Sequence, residues 1–182
     1  MRVVPYKEDY KKALQDIHMA TASLKARTDQ RHGKFSLLMY CDEYLDHETA
    51  FVLLDEEDRP AGYVLCAESA SEWAQNMKPY IEEIEKLGSP YDQMVHGQIE
   101  EYKLAEPSYP AHLHIDILEE YTGKHGGSLL MNTLIEHLKQ NHVKGVCLGV
   151  ARKNERAFGF YRHFGFEILA EDEGGMFLGL SL

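Results

Sequence analysis

Cysteine is scarce in this chain of 182 residues: Cys41, Cys66 and Cys147 lie far apart, are odd in number and never form a CxxC pair. That pattern excludes a disulfide framework, offers no structural zinc spacing, and points to reduced thiols in a cytoplasm. Positive charge is scarce as well. Nineteen Lys and Arg face 30 Asp and Glu, for a net charge of -11. No basic stripe is available for nucleic acid, and an acidic surface is repelled by anionic lipid. It is compatible with cationic substrates such as amines, although net charge alone names no partner. No run approaches the roughly 20 apolar residues of a membrane span. The N-terminus MRVVPYKEDYKK has neither a long apolar run nor a cleavage site, so no signal peptide is expected. Internal repeats and low-complexity linkers are also lacking.

What is present suits one domain, 1-182, with apolar residues at 44% to build its core. Met1–Tyr6 reads as a strand, and Asp9 as the cap of a helix to about Ala20 with Ala13, Leu14 and Ile17 on one face. Residues 21-36 are polar and carry no clear period. Leu37–Tyr44 suits a short helix. Ala50–Leu54 and Ala61–Ala67 flank DEEDRP as a hairpin. A helical insert is expected at about 70-108: Trp73, Met77, Ile81 and Ile84 have helical spacing, Pro79 breaks or kinks that helix, and a second runs from Tyr91 to Tyr102. Such a stripe forms either plain core packing or the wall of a pocket.

The stretch Ala111–Leu118 alternates, with Leu113, Ile115 and Ile117 on one face and His112, His114 and Asp116 on the other. TGKHGGS follows, then a helix with Leu130, Leu134 and Leu138 in register, then a strand through Val146, Leu148 and Val150. Asn154 suits a helix cap, Ala157, Phe160, Tyr161 and Phe164 share the next helix face, and Gly165 suits its left-handed end. A closing hairpin around EDEGG joins Phe166–Ala170 to Met176–Leu180.

Strand, glycine loop, helix is an anion-binding arrangement. Helix N-termini expose unpaired N–H groups, glycines allow close approach, and Lys124 adds a cation, so Gly123 to Ser128 is a candidate pyrophosphate cradle. The P-loop pattern fails because Lys124 precedes His125, and the Rossmann spacing GxGxxG does not occur. An ordinary glycine turn that begins a helix remains the alternative.

The order strand, EEYTGKHGGSLL, helix, strand, NERAFGFYRHFGF resembles the GNAT acetyltransferase superfamily. Asn154, Ala157, Phe160, Tyr161, Gly165 and Phe166 fall at the spacing of that family's N-x-x-A-x-x-F-Y-x-x-x-G-F segment. YPAHLHIDIL and VKGVCLGV are similar to a subgroup that includes the acetyltransferase-like domains attached to some O-GlcNAc hydrolases. The resemblance implies an α/β (α+β) GNAT fold: a mixed, largely antiparallel central sheet of about six or seven strands, splayed around a cofactor cleft and flanked by helices. It implies acetyl-CoA as co-substrate, held by Ile117, Leu118, Thr122, Gly123, Lys124, His125, Gly126, Gly127, Ser128, Asn154, Phe158 and Tyr161. The family's phosphate motif, Q/R-x-x-G-x-G/A, places Thr122 and His125 where Gln or Arg and Gly are usual. A β-carbon at His125 either crowds the pyrophosphate or demands a strained backbone.

Acetyl transfer to an amine requires deprotonation of the amine, stabilisation of the carbonyl oxygen and protonation of the departing thiolate. The resemblance gives Tyr161 the last role. The base is open among His114, Asp116 and His112. HLHID also invites a metal-dependent hydrolase, but alternate residues on one strand face lie roughly 7 Å apart, wide for one ion with bonds near ~2 Å, so no metal is expected. Three readings stand: an N-acetyltransferase acting by direct attack in a ternary complex, an inactive acetyl-CoA-binding module of the same fold, and that hydrolase. The acceptor is a small-molecule or peptide amine. Glu100, Glu101, Asp42 and Glu43 are candidates for an acidic entrance, and a homodimer is common in the family.

Overall fold

The computed structural model describes residues 1–182. Seven strands form one sheet in the order β1-β2-β3-β4-β5-β7-β6: β1 Arg2–Pro5, β2 Thr49–Leu54, β3 Pro60–Ala67, β4 Ala111–Ile117, β5 Gly145–Ala151, β6 Glu167–Glu171 and β7 Gly175–Ser181. Every neighbouring pair is antiparallel except β4 with β5. The sheet is therefore mixed and largely antiparallel, as the resemblance implied.

Nine α-helices cover the sheet: α1 Lys11–Thr21, α2 Leu24–Thr28, α3 Gln30–Leu37, α4 Glu43–His47, α5 Ala70–Asn76, α6 Lys78–Glu85, α7 Tyr91–Ala105, α8 Gly126–Gln140 and α9 Glu155–His163. One face packs Leu14, Tyr44, Tyr63, Trp73, Val95 and Tyr102 into a core under α1 and α3–α7. The other buries Leu130, Leu134, Leu138, Val146, Tyr161 and Phe166 under α8 and α9. Leu113 belongs to the second core, whereas His112, one residue earlier, stacks against Tyr102 of the first. The alternation read along β4 thus separates the two faces of the sheet.

Local chemistry explains where the elements begin and end. Pro79 falls in the first turn of α6, where its missing N–H costs nothing, so the expected helix divides into α5 and α6. Asn154 caps α9 through a hydrogen bond from the Ala157 N–H at 3.1 Å. Gly165, at φ +90°, ends it. Asp9 is not a cap: it sits in a single 3-10 turn, Glu8–Tyr10, and α1 starts after it without a side-chain cap. The polar stretch 21-36 folds as α2 and α3, capped by Ser23 and Asp29. The helix expected at 37–44 is a π-helical turn, Leu38–Asp42, that runs into α4. The insert at 70-108 does both things open to it: α5 and α6 complete the first core, and α7 also walls a cavity.

Glu43 is no part of an acidic entrance. It is fully buried, neither carboxyl oxygen has a hydrogen-bond partner, and the nearby indole Nε1 of Trp73 is unpartnered too. Burial, with the Glu48 charge beside it, pushes the Glu43 carboxyl up to about 9. The folded chain therefore holds a proton that the unfolded chain releases near the ordinary carboxylate value. That contribution is complete below the unfolded value of 4.5 and is lost as pH rises towards 9. Chemical denaturation of Glu43→Gln and the parent, from pH 5 upward, is expected to show the parent losing about 1 kcal/mol per pH unit relative to the variant. Parallel stability curves would show that Glu43 is not protonated in the fold.

Candidate functional site

The sheet parts at one place. The parallel ladder between β4 and β5 holds only Ala111 with Val146 and His112 with Cys147. Beyond it the strands diverge, although β4 stays paired with β3 as far as Ile117. The edge of β4 that faces the gap carries backbone groups with no partner strand, and such groups need hydrogen bonds from elsewhere.

A cavity of about 930 Å³ lies along the freed end of β4, from Ile115 to Leu118. One end is the glycine loop and the N-termini of two helices. Thr122, Gly123, His125, Gly127 and Ser128 line it beside α8, and Asn154 and Arg156 line it beside α9. The middle is Ile117 and Leu118 of β4 together with Tyr161, and the far end reaches Asp116, Thr21 and Arg27. Two helix N-termini and Arg156 at one end of the cleft make a fitting site for an anion such as phosphate. Gly127 has little room for a side chain: a β-carbon there would lie 3.2 Å from the Phe160 ring.

Three of the residues expected to hold the coenzyme do not line this cavity. Lys124 lies over the Tyr121 ring, its Nζ 5.5 Å from the centroid. Gly126 packs on Leu53, where a β-carbon would come within 2.6 Å of a methyl group. Phe158 packs into the second core. The Thr122 hydroxyl is committed to its own turn, donating to the Glu119 carbonyl at 2.6 Å, so only its remaining surface faces the cavity. His125 adopts φ +64°, the left-handed backbone that a residue in a glycine position must take.

The three polar residues of β4 go to three environments. His112 is fully buried. Its ring stacks on Tyr102 at 3.8 Å, its Nδ1 meets the Tyr44 hydroxyl at 2.7 Å, and it lines neither large cavity. It is a packed core side chain and, contrary to the expectation, is not placed to act as a base. His114 lines a second cavity, of about 1010 Å³, bounded by α7, β5 and the β6–β7 hairpin. Its Nε2 is sealed from solvent without a partner, and burial drives its pKa down to about 4. Asp116 lines the first cavity. His112, His114 and Asp116 thus lie in three separate environments and are not gathered on one point.

Behind Asp116 runs a polar chain that the sequence pattern did not reveal. The Tyr63 hydroxyl donates to Asp116 Oδ2 at 2.5 Å. His18 Nδ1 lies 3.0 Å from the Tyr63 hydroxyl and 3.7 Å from Asp116 Oδ2, and its Nε2 lies 2.8 Å from Ser36 Oγ. With Asp116 as carboxylate and a neutral imidazole, one direction satisfies all four groups: Ser36 donates to His18, His18 to Tyr63, and Tyr63 to Asp116. His18 follows Leu14 by four residues on the buried face of α1, and a histidine inside an apolar stripe was the available signal. Tyr161, almost fully buried, packs edge-on to Phe160 and Phe166. Burial and then the Asp116 charge push its phenol well above the ordinary range, so it stays protonated.

A family model described as the acetyltransferase (GNAT) family matches residues 12–166. Among solved structures, SsHAT is 27% identical over 98% of this chain and 96% of its own, with a TM-score of 0.84. A histone acetyltransferase HPA2 and related acetyltransferase from Corynebacterium glutamicum is 14% identical over 98% and 94%, with a TM-score of 0.64. A GNAT acetyltransferase from Staphylococcus aureus is 13% identical over 100% and 98%, with a TM-score of 0.61. The last two share the fold.

The backbone at His125 yields a test. Replacing it with glycine removes the left-handed penalty and gives α8 a better N-cap, against a modest entropic loss in the unfolded chain. His125→Gly is expected to stabilise the protein by about 1 kcal/mol in thermal or urea unfolding. A destabilised variant would mean that the imidazole makes a contact worth more than the strain.

Proposed function

The chain belongs to the GNAT acetyltransferase family, and we propose that it is an N-acetyltransferase that passes the acetyl group of acetyl-CoA directly to an amine, both substrates being bound together. The observation that carries this reading is the parting of β4 from β5. It puts a phosphate-binding end, an unpaired strand edge, Tyr161 and Asp116 on one continuous cavity.

In this reading the N-termini of α8 and α9, with Arg156, hold the phosphates. The free edge of β4 around Ile117 and Leu118 receives the pantetheine amides, as a missing strand would be received. The nitrogen–carbon bond forms, the carbon–sulfur bond breaks, one proton leaves the nitrogen and one joins the sulfur. Tyr161 supplies the proton to sulfur. The burial that raises its phenol also destabilises a thiolate in the same cavity, so donor and acceptor rise together. His114 or Asp116 receives the proton from nitrogen. Asp116 is oriented by Tyr63 and His18, and His114 is neutral with Nε2 unpartnered. The inactive-module reading draws on the departures at Thr122 and His125, but nothing in the geometry closes the cavity against the coenzyme.

Titration calorimetry with acetyl-CoA tests the cofactor half, and absence of heat at millimolar ligand sinks it. Thiol release with a panel of amines tests turnover. Tyr161→Phe is expected to lower kcat by about a hundredfold or more with little change in the KM for acetyl-CoA, the usual scale for losing a general acid. An unchanged kcat would remove Tyr161 from the mechanism. If His114 is the base, the acid limb of kcat/KM breaks towards pH 4 rather than at the ordinary histidine value of 6.5, because burial favours its neutral form. His114→Asn would then abolish that limb, whereas Asp116→Asn would abolish it if the carboxylate is the base.

A further inference from the structure

The second cavity has a floor and a rim of different chemistry. Its floor is Tyr40, Tyr102, His114 and Phe177, and the His114 ring lies 5.1 Å from that of Tyr40. Its rim carries Glu101, Glu171 and Asp172, and no Lys or Arg lines any part of it. Glu171 is answered by Arg152 at 2.9 Å. Asp172 accepts the backbone N–H groups of Gly174 and Gly175 at 2.7 and 2.8 Å, which keep its carboxyl below the ordinary range and ionised. Glu101 receives one hydrogen bond, from Gln98 Nε2 at 2.8 Å, and has no cation within ion-pair reach. Partial desolvation and the Asp172 charge push its pKa up. Arg152 also donates Nε to the Asp172 carbonyl at 2.8 Å and its charge acts on the Asp172 carboxylate, so Glu101 is the rim carboxylate left without a cation.

The floor asks for something else. His114 presents a neutral ring whose Nε2 has neither solvent nor partner, and an unsatisfied buried nitrogen is costly until something pairs with it. It lies two residues from Asp116 on the same face of β4, so the cavity adjoins the one assigned to the coenzyme. The Tyr and Phe rings between floor and rim suit an apolar stem, and attract a cation near their faces.

We infer that the second cavity takes the acceptor, and that the acceptor is an amine bearing a second positive charge at the far end of an apolar spacer. This rests on the acetyl-transfer reading. The reacting nitrogen lies at the floor beside His114, the spacer lies along Tyr40, Tyr102 and Phe177, and the distal ammonium sits at the rim between Glu101 and Asp172. An amine whose distal end is a carboxylate is repelled by the same two groups.

Three four-carbon probes separate the outcomes: putrescine, butylamine and γ-aminobutyrate. Their affinities are measured by calorimetry on protein saturated with coenzyme A, and their turnover by thiol release from acetyl-CoA. Putrescine is expected to bind about tenfold more tightly than butylamine, the equivalent of one favourable charge contact, with γ-aminobutyrate weakest. Glu101→Gln, a change on the exposed side of α7, is expected to bring putrescine and butylamine within about threefold of each other while butylamine itself is little affected. Equal affinities, a preference for γ-aminobutyrate, an unchanged ratio in Glu101→Gln, or no binding by any probe overturns the inference. The expected order of binding with no thiol release leaves the subsite standing and removes the transfer reading. Thiol release without the order does the reverse.

Discussion

The parting of β4 from β5 after two paired residues is the constraint on which the rest of the molecule depends. Parallel strands flanked by helices normally continue their ladder, because an unpaired backbone edge inside a protein wastes hydrogen bonds. Here β4 keeps its antiparallel partner β3 to Ile117, and β5 keeps β7 to Ala151, so each strand is held from outside while the space between them opens. The helices that cover the two faces then meet at the opening instead of at a closed sheet. The N-termini of α8 and α9 reach the gap from one face, and α1, α2 and the π-helical turn approach it from the other. A ligand that threads the gap touches both faces at once, which a continuous sheet would forbid.

The second cost is polar burial, and it is concentrated near that opening. His18, Tyr63, Ser36 and Asp116 form a chain in which each donor has one acceptor, so the group costs little to bury. His112 is held by the Tyr44 hydroxyl on one nitrogen only, and Glu43 by nothing. The first arrangement fixes the orientation of one carboxylate that borders a cavity. The others are paid for by the large aromatic core around Tyr44, Trp73 and Tyr102, whose apolar burial offsets a few unsatisfied groups.

The sequence exposed the second half of the fold better than the first, for physical reasons. The run from Ala111 to Phe166 alternates or repeats with a clear period and ends its helices with Asn154 and Gly165, so strand, loop, helix, strand and helix are all readable. Residues 21-36 bury little apolar surface, so periodicity fails there, and only the caps Ser23 and Asp29 mark α2 and α3. The site was legible where it is backbone and loop: Thr122, Gly123, His125, Gly127, Ser128 and Asn154 all reach the cavity. It was less legible where fold geometry decides. His112 and His114 look equivalent along one strand face, yet one is stacked in the core and the other borders a cavity. Tyr63 and His18, from β3 and α1, meet Asp116 only because β3 pairs with β4 in a register that sets Tyr63 opposite Asp116.

A module that only bound a coenzyme would need the first cavity and nothing more. This chain also maintains a second one, with a sealed, unpartnered imidazole at its floor and one carboxylate without a cation, Glu101, at its rim. Each unpaired buried polar group costs about 1–3 kcal/mol, a substantial part of the roughly 5–15 kcal/mol by which a domain is stable. Such groups persist without a partner only where the surrounding core is strong enough to hold them, and they are relieved when a complementary group arrives. A nitrogen at the floor would relieve the imidazole, and an ammonium at the rim would meet the solvated Glu101 carboxylate. A coenzyme confined to the first cavity would leave that imidazole unpaired.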